Sequence, residues 1–202
     1  MVSVCILDYG SGNVKSVLNS FSQFSNCRIS NATTDVVNAT HLVLPGVGTY
    51  KDSMRRILNS IPIELIKEQV NKGKPILGIC VGMQVFGDKG IEFEEAHGLG
   101  LIPGVVSKIQ SGGLPLPHVG WNNLADLGTH KITEGISEED DFYFVHSYAY
   151  SSISTEFIQA ETEYGVKFPA IISSGNIIGV QFHPEKSQKA GNRVIQNFLE
   201  IK

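Results

Sequence analysis

The sequence predicts an α/β fold: an open, mostly parallel sheet with helices on both faces, followed by an antiparallel extension. From residue 2 to residue 84, short apolar runs alternate with amphipathic stretches in the order β-α-β-α-β-α, the pattern of a covered parallel sheet. Beyond Gly87 the texture changes to short strand-like runs divided by glycine and proline, which suits added hairpins. The chain holds 21 glycines in 202 residues, enough for many tight strand–helix connections within one domain spanning residues 1–202.

The first run, Val2 to Leu7, leads through the turn Asp8-Tyr9-Gly10-Ser11-Gly12-Asn13 to Val14, Val17, Leu18 and Phe21, which recur at helical spacing. Gly10-x-Gly12 has the start of a dinucleotide loop, but Lys15 stands where its third glycine belongs, so a tight turn is the better reading. Asn26 to Ser30 is the second strand. Cys5 and Cys27 lie inside strands and read as structural. His41 to Leu44 is the third strand and ends in Pro45-Gly46-Val47-Gly48. Such a glycine pair either makes an ordinary turn or lets backbone N–H groups face a ligand at the sheet edge. Met54, Ile57 and Leu58 mark one helix and Ile63 to Val70 another.

Pro75-Ile76-Leu77 then enters Gly78-Ile79-Cys80-Val81-Gly82-Met83-Gln84, with a helix expected from Met83. This is a nucleophile elbow with cysteine in the serine position. The flanking glycines leave room for a sharp turn that lifts the sulfur out of the sheet. An unassisted thiol, with a pKa of about 8.5, is only a few per cent ionised at neutral pH, so neighbouring N–H groups and a helix N-terminus would help it react. The competing reading of Cys80 is a small buried hydrophobe.

Residues 88 to 104 read as loop, Val105 to Ile109 as a strand, and Ser111 to Pro117 as a Gly/Pro-rich loop that continues through His118-Val119-Gly120-Trp121-Asn122. Trp121, the only tryptophan, could serve as core or as an interface anchor. Phe142 to Val145 is a strand leading to His146-Ser147-Tyr148. Shorter strands follow at 157–161, 165–168, 170–173 and 177–182, and Val194, Ile195, Phe198 and Leu199 form a closing helix.

The net charge of −4 and the lack of a basic run exclude nucleic acid as a natural partner. No apolar run approaches the ~18 residues of a membrane span, and no secretory signal is read at the N-terminus. Three cysteines without paired spacing point to a reducing, cytoplasmic setting.

A cysteine nucleophile needs a histidine base oriented by a third group. Of six histidines, His41, His97 and His130 lack supporting context and read as surface or turn residues. His183 ends an apolar strand and is followed by Pro184 and Glu185. Residues two apart in extended chain point the same way, so Glu185 can stand behind His183.

With these residues in hand, Gly78 to Gln84, Pro45 to Gly48 and Val180-Gln-Phe-His183-Pro-Glu185 resemble the class I, triad-type glutamine amidotransferases. Asp8 to Asn13, Pro117 to Asn122, Tyr143 to Tyr148 and Glu185-Lys-Ser187 are similar to the glutaminase subunits of imidazole glycerol phosphate synthase, in histidine biosynthesis. The resemblance runs from Val4 to about Leu199. It departs at Val81, where many members carry leucine. Phe86 to Phe93 also resembles paralogues that supply ammonia for amidination of a surface-polysaccharide sugar.

The resemblance implies a flavodoxin-like sheet, a Cys80–His183–Glu185 triad, and an oxyanion site from the backbone of Val47, Gly48 and Val81. It implies that Gly46, Gln84, His146, Ser147 and Tyr148 surround glutamine. Trp121, Tyr143 and Lys186 would face a (β/α)8 barrel cyclase in a heterodimer. Neither metal nor organic cofactor is implied. The rival readings are a free-standing cysteine hydrolase and a degenerate scaffold subunit. Intact Cys80, His183 and Glu185 argue against the second.

Overall fold

A computed structural model describes residues 2–10 and 12–202; Met1 and Ser11, the latter part of the Asp8–Asn13 turn, lie outside the described residues. In its first half the chain forms β1 (Ser3–Ile6), α1 (Val14–Phe21), β2 (Asn26–Ile29), α2 (Thr33–Asn38), β3 (His41–Gly46), α3 (Tyr50–Ser60), α4 (Ile63–Asn71), β4 (Ile76–Cys80) and α5 (Val81–Gln84). The second half forms β5 (Lys89–Glu92), β6 (Glu94–His97), β7 (Val105–Lys108), β8 (His118–Asn123), β9 (Asp141–His146), β10 (Tyr148–Ser152), β11 (Ile158–Tyr164), β12 (Val166–Ser174), β13 (Ile177–Val180) and α6 (Gln188–Leu199).

Seven strands make the main sheet in the order β11-β12-β13-β4-β3-β1-β2. From β13 to β2 every pairing is parallel, and β11 and β12 join antiparallel at the other edge. Thus five parallel strands take the flavodoxin-like order, with β13 as the fifth. β3 and β4 are buried at every residue, as central parallel strands covered on both faces must be. A four-stranded mixed sheet, β10-β7-β5-β6, in which only β5 and β7 run parallel, and an antiparallel two-stranded ribbon, β8-β9, complete the second half.

Several boundaries differ from the sequence expectations for physical reasons. The helix expected from Met83 begins at Val81 and has only four residues, so its dipole is small and its free N–H groups matter more. The stretch 88–104 contains the hairpin β5–β6, hidden because its tip is Phe93 at φ 61° instead of a glycine or asparagine. The strands expected at 165–168 and 170–173 are one strand, β12. It accepts Pro169 opposite Glu161, where the β11 register shifts. α2 and β10 are additional to the elements the sequence predicts. Leu58 is exposed on α3, whose buried side carries Tyr50, Ser53, Met54 and Ile57.

Trp121 lies on β8, opposite Tyr143 of β9, instead of in a loop. Alternation along β8 buries His118 and turns Val119, Trp121 and Asn123 outward. Trp121 is 48% exposed, so the core reading is excluded.

Candidate active site

The sheet register alone brings the candidate residues together. Gly46 of β3 pairs with Cys80 of β4, and Val180 of β13 pairs with Ile79. The ends of three adjacent parallel strands therefore place Val47 and Gly48 on one side of Cys80 and the segment 181–185 on the other. This is the carboxyl edge of the sheet, where open α/β folds bind ligands.

Cys80 has φ 54° and ψ −111°, a strained conformation for a residue with a side chain. Its glycine neighbours are sterically required. A Cβ on Gly78 would come within 2.5 Å of the Gly82 carbonyl oxygen, and one on Gly82 would overlap the Leu44 carbonyl oxygen. A Cβ on Gly46 would lie 2.5 Å from the Gly82 amide nitrogen. The elbow is thus wedged against the end of β3, and Gly46 belongs to this packing. Cys80 is buried yet lines a cleft of about 410 Å³. Val47, Gly48, Val81, Gln84, His146, Ser147, Tyr148 and Lys186 line the same cleft.

Behind Cys80, His183 Nδ1 lies 2.8 Å from Glu185 Oε1, and both side chains are wholly inaccessible. Pro184 begins the short turn that brings the carboxylate back under the imidazole. His183 Nε2 is buried without a hydrogen-bond partner among the described residues. Burial opposes the imidazolium, but the Cys80 sulfur and the Glu185 carboxylate outweigh it, so the His183 pKa is raised. The turn is anchored to β9: the His183 N–H donates to the Tyr143 carbonyl at 2.9 Å, and the Ser187 hydroxyl donates to the His183 carbonyl at 2.6 Å.

Three contributors escaped the reading of the sequence. Asn13 Nδ2 donates to Glu185 Oε1 at 3.1 Å, so the Asp8–Asn13 turn steadies the carboxylate from the first βα connection. Glu92, on the unanticipated hairpin, lines the cleft and accepts the Tyr50 N–H at 2.6 Å; burial raises its pKa and that N–H opposes the rise. His118 stacks between Phe144 and Tyr164, at ring-centroid distances of 5.0 and 4.1 Å, and its Nδ1 lies 3.4 Å from His146 Nε2. Nothing in the sequence marks this pairing, because residues 118–122 read as loop and only the structure places His118 at an inward position of β8.

His146 is held neutral. Its Nδ1–H donates to the Tyr148 carbonyl at 2.9 Å, and burial drives its pKa down to about 3, with His118 and His183 adding to the fall. The folded pKa lies below the usual 6.5, so the unfolded chain binds the extra proton between these values. The stability from neutral His146 is complete above pH 6.5 and is lost as pH falls towards 3. This group alone is expected to contribute a slope of up to about 1.4 kcal/mol per pH unit. Denaturant melts of His146→Gln across this range should show a flatter loss of stability; an unchanged slope would refute the assignment.

The other histidines are structural or peripheral. His41 is buried on β3 instead of exposed; its ring nitrogens contact the Thr40 hydroxyl at 2.8 Å and the Ile201 carbonyl at 3.0 Å. His130 Nδ1 accepts the Ile132 N–H at 3.1 Å, and His97 lies exposed on β6. A larger cavity, about 650 Å³, opens at the other end of β3 beside His41, Lys72 and Lys74. It holds no cysteine and lies at the sheet end opposite Cys80.

Comparison with known proteins agrees with this geometry. The family model "Glutamine amidotransferase class-I" matches residues 5–201. This chain belongs to the class I glutamine amidotransferases. Among curated relatives, "Imidazole glycerol phosphate synthase subunit HisH" of Lactococcus lactis is 44% identical, covering 99% of both chains. The protein of that name from Pelagibacter ubique is 40% identical, covering 99% of this chain and 100% of its own. A solved "glutamine amidotransferase" superposes with a TM-score of 0.77 at 15% identity, covering 98% of this chain and 97% of its own. A chain of PurLQS from Thermotoga maritima gives 0.75 at 20% identity, again covering 98% and 97%. Those two likenesses speak for the fold.

Proposed function

We propose that this chain is the glutaminase subunit of imidazole glycerol phosphate synthase, acting through a Cys80–His183–Glu185 triad. Full-length relatives of that name, about 40% identical, support the assignment. The observation that carries the chemistry is the strained Cys80 beside a buried His183 that is paired with Glu185 and whose own pKa is raised. The proton resides favourably on His183, and the Cys80 sulfur attacks the side-chain amide carbon of glutamine. The amide oxygen becomes anionic and is met by N–H groups of Val81 and of Val47 or Gly48. Collapse expels ammonia, which takes its proton from His183, and leaves a thioester on Cys80. Water adds to the thioester and releases glutamate and the thiol.

Within the cleft, the Glu92 carboxylate suits the α-ammonium group of glutamine. Gln84 uses both side-chain N–H bonds internally, to the Tyr148 carbonyl at 2.7 Å and Gln181 Oε1 at 3.1 Å. It therefore offers its own oxygen to the substrate. Ser147 and Tyr148 form the facing wall.

The partner face adjoins this site. Trp121 stacks edge-on against Tyr143 at 5.9 Å, and Lys186 Nζ lies 5.4 Å from the Tyr143 ring centroid. Tyr143 also holds His183 through its carbonyl, so contact with a barrel cyclase in a heterodimer reaches the triad through one residue. Direct passage of ammonia to the cyclase prevents its protonation in bulk water.

Mass analysis after treatment with a glutamine-analogue electrophile, together with titration against the cyclase, tests the proposal. One covalent label on Cys80 and a stable complex are expected; no label, or no complex, would refute it. Trp121→Ala should weaken the complex by on the order of 2 kcal/mol or more, while the exposed position keeps the free subunit's melt nearly unchanged. A large stability loss with unchanged affinity would remove Trp121 from the interface.

A further inference from the structure

We infer that Gln181 is a positioning residue for the nucleophile, its side-chain amide donating to the Cys80 sulfur and tying it to the substrate-binding wall. Gln181 follows β13 directly and is wholly buried, and its backbone N–H donates to the Ala170 carbonyl at 2.9 Å. Its Nε2 lies 3.7 Å from Cys80 Sγ. A buried primary amide must place two donors and one acceptor group, and this one is oriented by a chain of forced choices.

The chain begins at the Tyr148 carbonyl, which can only accept. It takes Gln84 Nε2–H at 2.7 Å, so the nitrogen of Gln84, and not its oxygen, faces this wall. The second N–H of the same nitrogen points to Gln181 at 3.1 Å, which requires an oxygen there. Fixing Oε1 on that side turns the Gln181 nitrogen towards Cys80. The sulfur therefore receives an N–H donor, and a donor stabilises a thiolate more than a thiol. Through Gln84 the same amide links the sulfur to the residue that meets the substrate. Gln181 thus holds the sulfur on the side from which it attacks, without touching the reacting carbon.

This inference rests on Cys80 being the nucleophile. The test uses the intact chain with Gln181→Met, which removes the donor at similar size, and Gln181→Glu, which replaces the donor by an acceptor. Iodoacetamide alkylation is followed from about pH 5.5 to 9 on the Cys80 peptide, so that Cys5 and Cys27 do not contribute. Glutamine hydrolysis by the complex gives kcat and KM, and denaturant melts report the fold.

With the fold intact, the alkylation profile should move to higher pH by about one unit in Gln181→Met, and further in Gln181→Glu. At pH 7 kcat should fall about tenfold, while KM changes less than about threefold. Should Gln181→Met fail to fold, the isosteric Gln181→Glu decides alone by the same profile. Profiles that superimpose on that of the parent chain would overturn the inference, as would a raised KM with unchanged kcat. Failure of the parent Cys80 to take the glutamine-analogue electrophile would instead sink the nucleophile reading, and this inference with it.

Discussion

Cys80→Ala is expected to lower glutamine hydrolysis by at least about 10⁴-fold while leaving the fold and cyclase binding intact. Removal of a covalent nucleophile cannot be offset by the rest of a triad, which is why such losses are among the largest seen in enzymes. The stability effect should be small. The strain at φ 54° is the same for alanine and cysteine, and the buried sulfur sits at the core's edge, where it lines a cleft. The variant complex should still run the synthase reaction when ammonium salts are supplied at high pH, because only the ammonia source is lost. A glutamine assay of parent and variant complexes, each repeated with ammonium, checks both halves. Retained glutaminase activity would end the thioester mechanism.

The second large effect is expected for Glu185→Gln. Glu185 Oε1 accepts from His183 at 2.8 Å and from Asn13 at 3.1 Å inside a closed pocket. Glutamine keeps the shape and one acceptor oxygen but removes the charge that supports the imidazolium. The His183 pKa, raised in part by this carboxylate, should fall towards its ordinary value, leaving less of the proton on the ring. Turnover should drop by about 10²–10⁴-fold, with KM within about threefold, since Glu185 touches no substrate. Steady-state kinetics of the complex decide it, and an unchanged kcat would show that His183 needs no carboxylate.

The bond between Asn13 and Glu185 shows where such predictions depend on tertiary structure. From sequence, Asn13 belongs to a glycine-rich turn and Glu185 to a tripeptide far along the chain, and nothing in either segment couples them. The link exists because β1 and β13 both end at the same edge of one parallel sheet. Glu92 was hidden differently. Its hairpin has charged strands and a phenylalanine tip, so neither hydrophobic alternation nor turn chemistry marked it.

The sequence by itself determined the parallel half of the fold, the elbow and the three residues proposed as the triad. Those signals are local: an apolar run, a glycine on each side of Cys80, a histidine and carboxylate separated by proline. Each reflects sterics that act within a few residues. It did not determine that Trp121 stands on an outward strand position, that His146 is kept neutral beside His118, or that Gln181 faces the sulfur. Those facts depend on strand register, which sets side-chain neighbours between residues 28 to 101 positions apart. Only the folded sheet, with Val180 beside Ile79 and Gly46 beside Cys80, could place them.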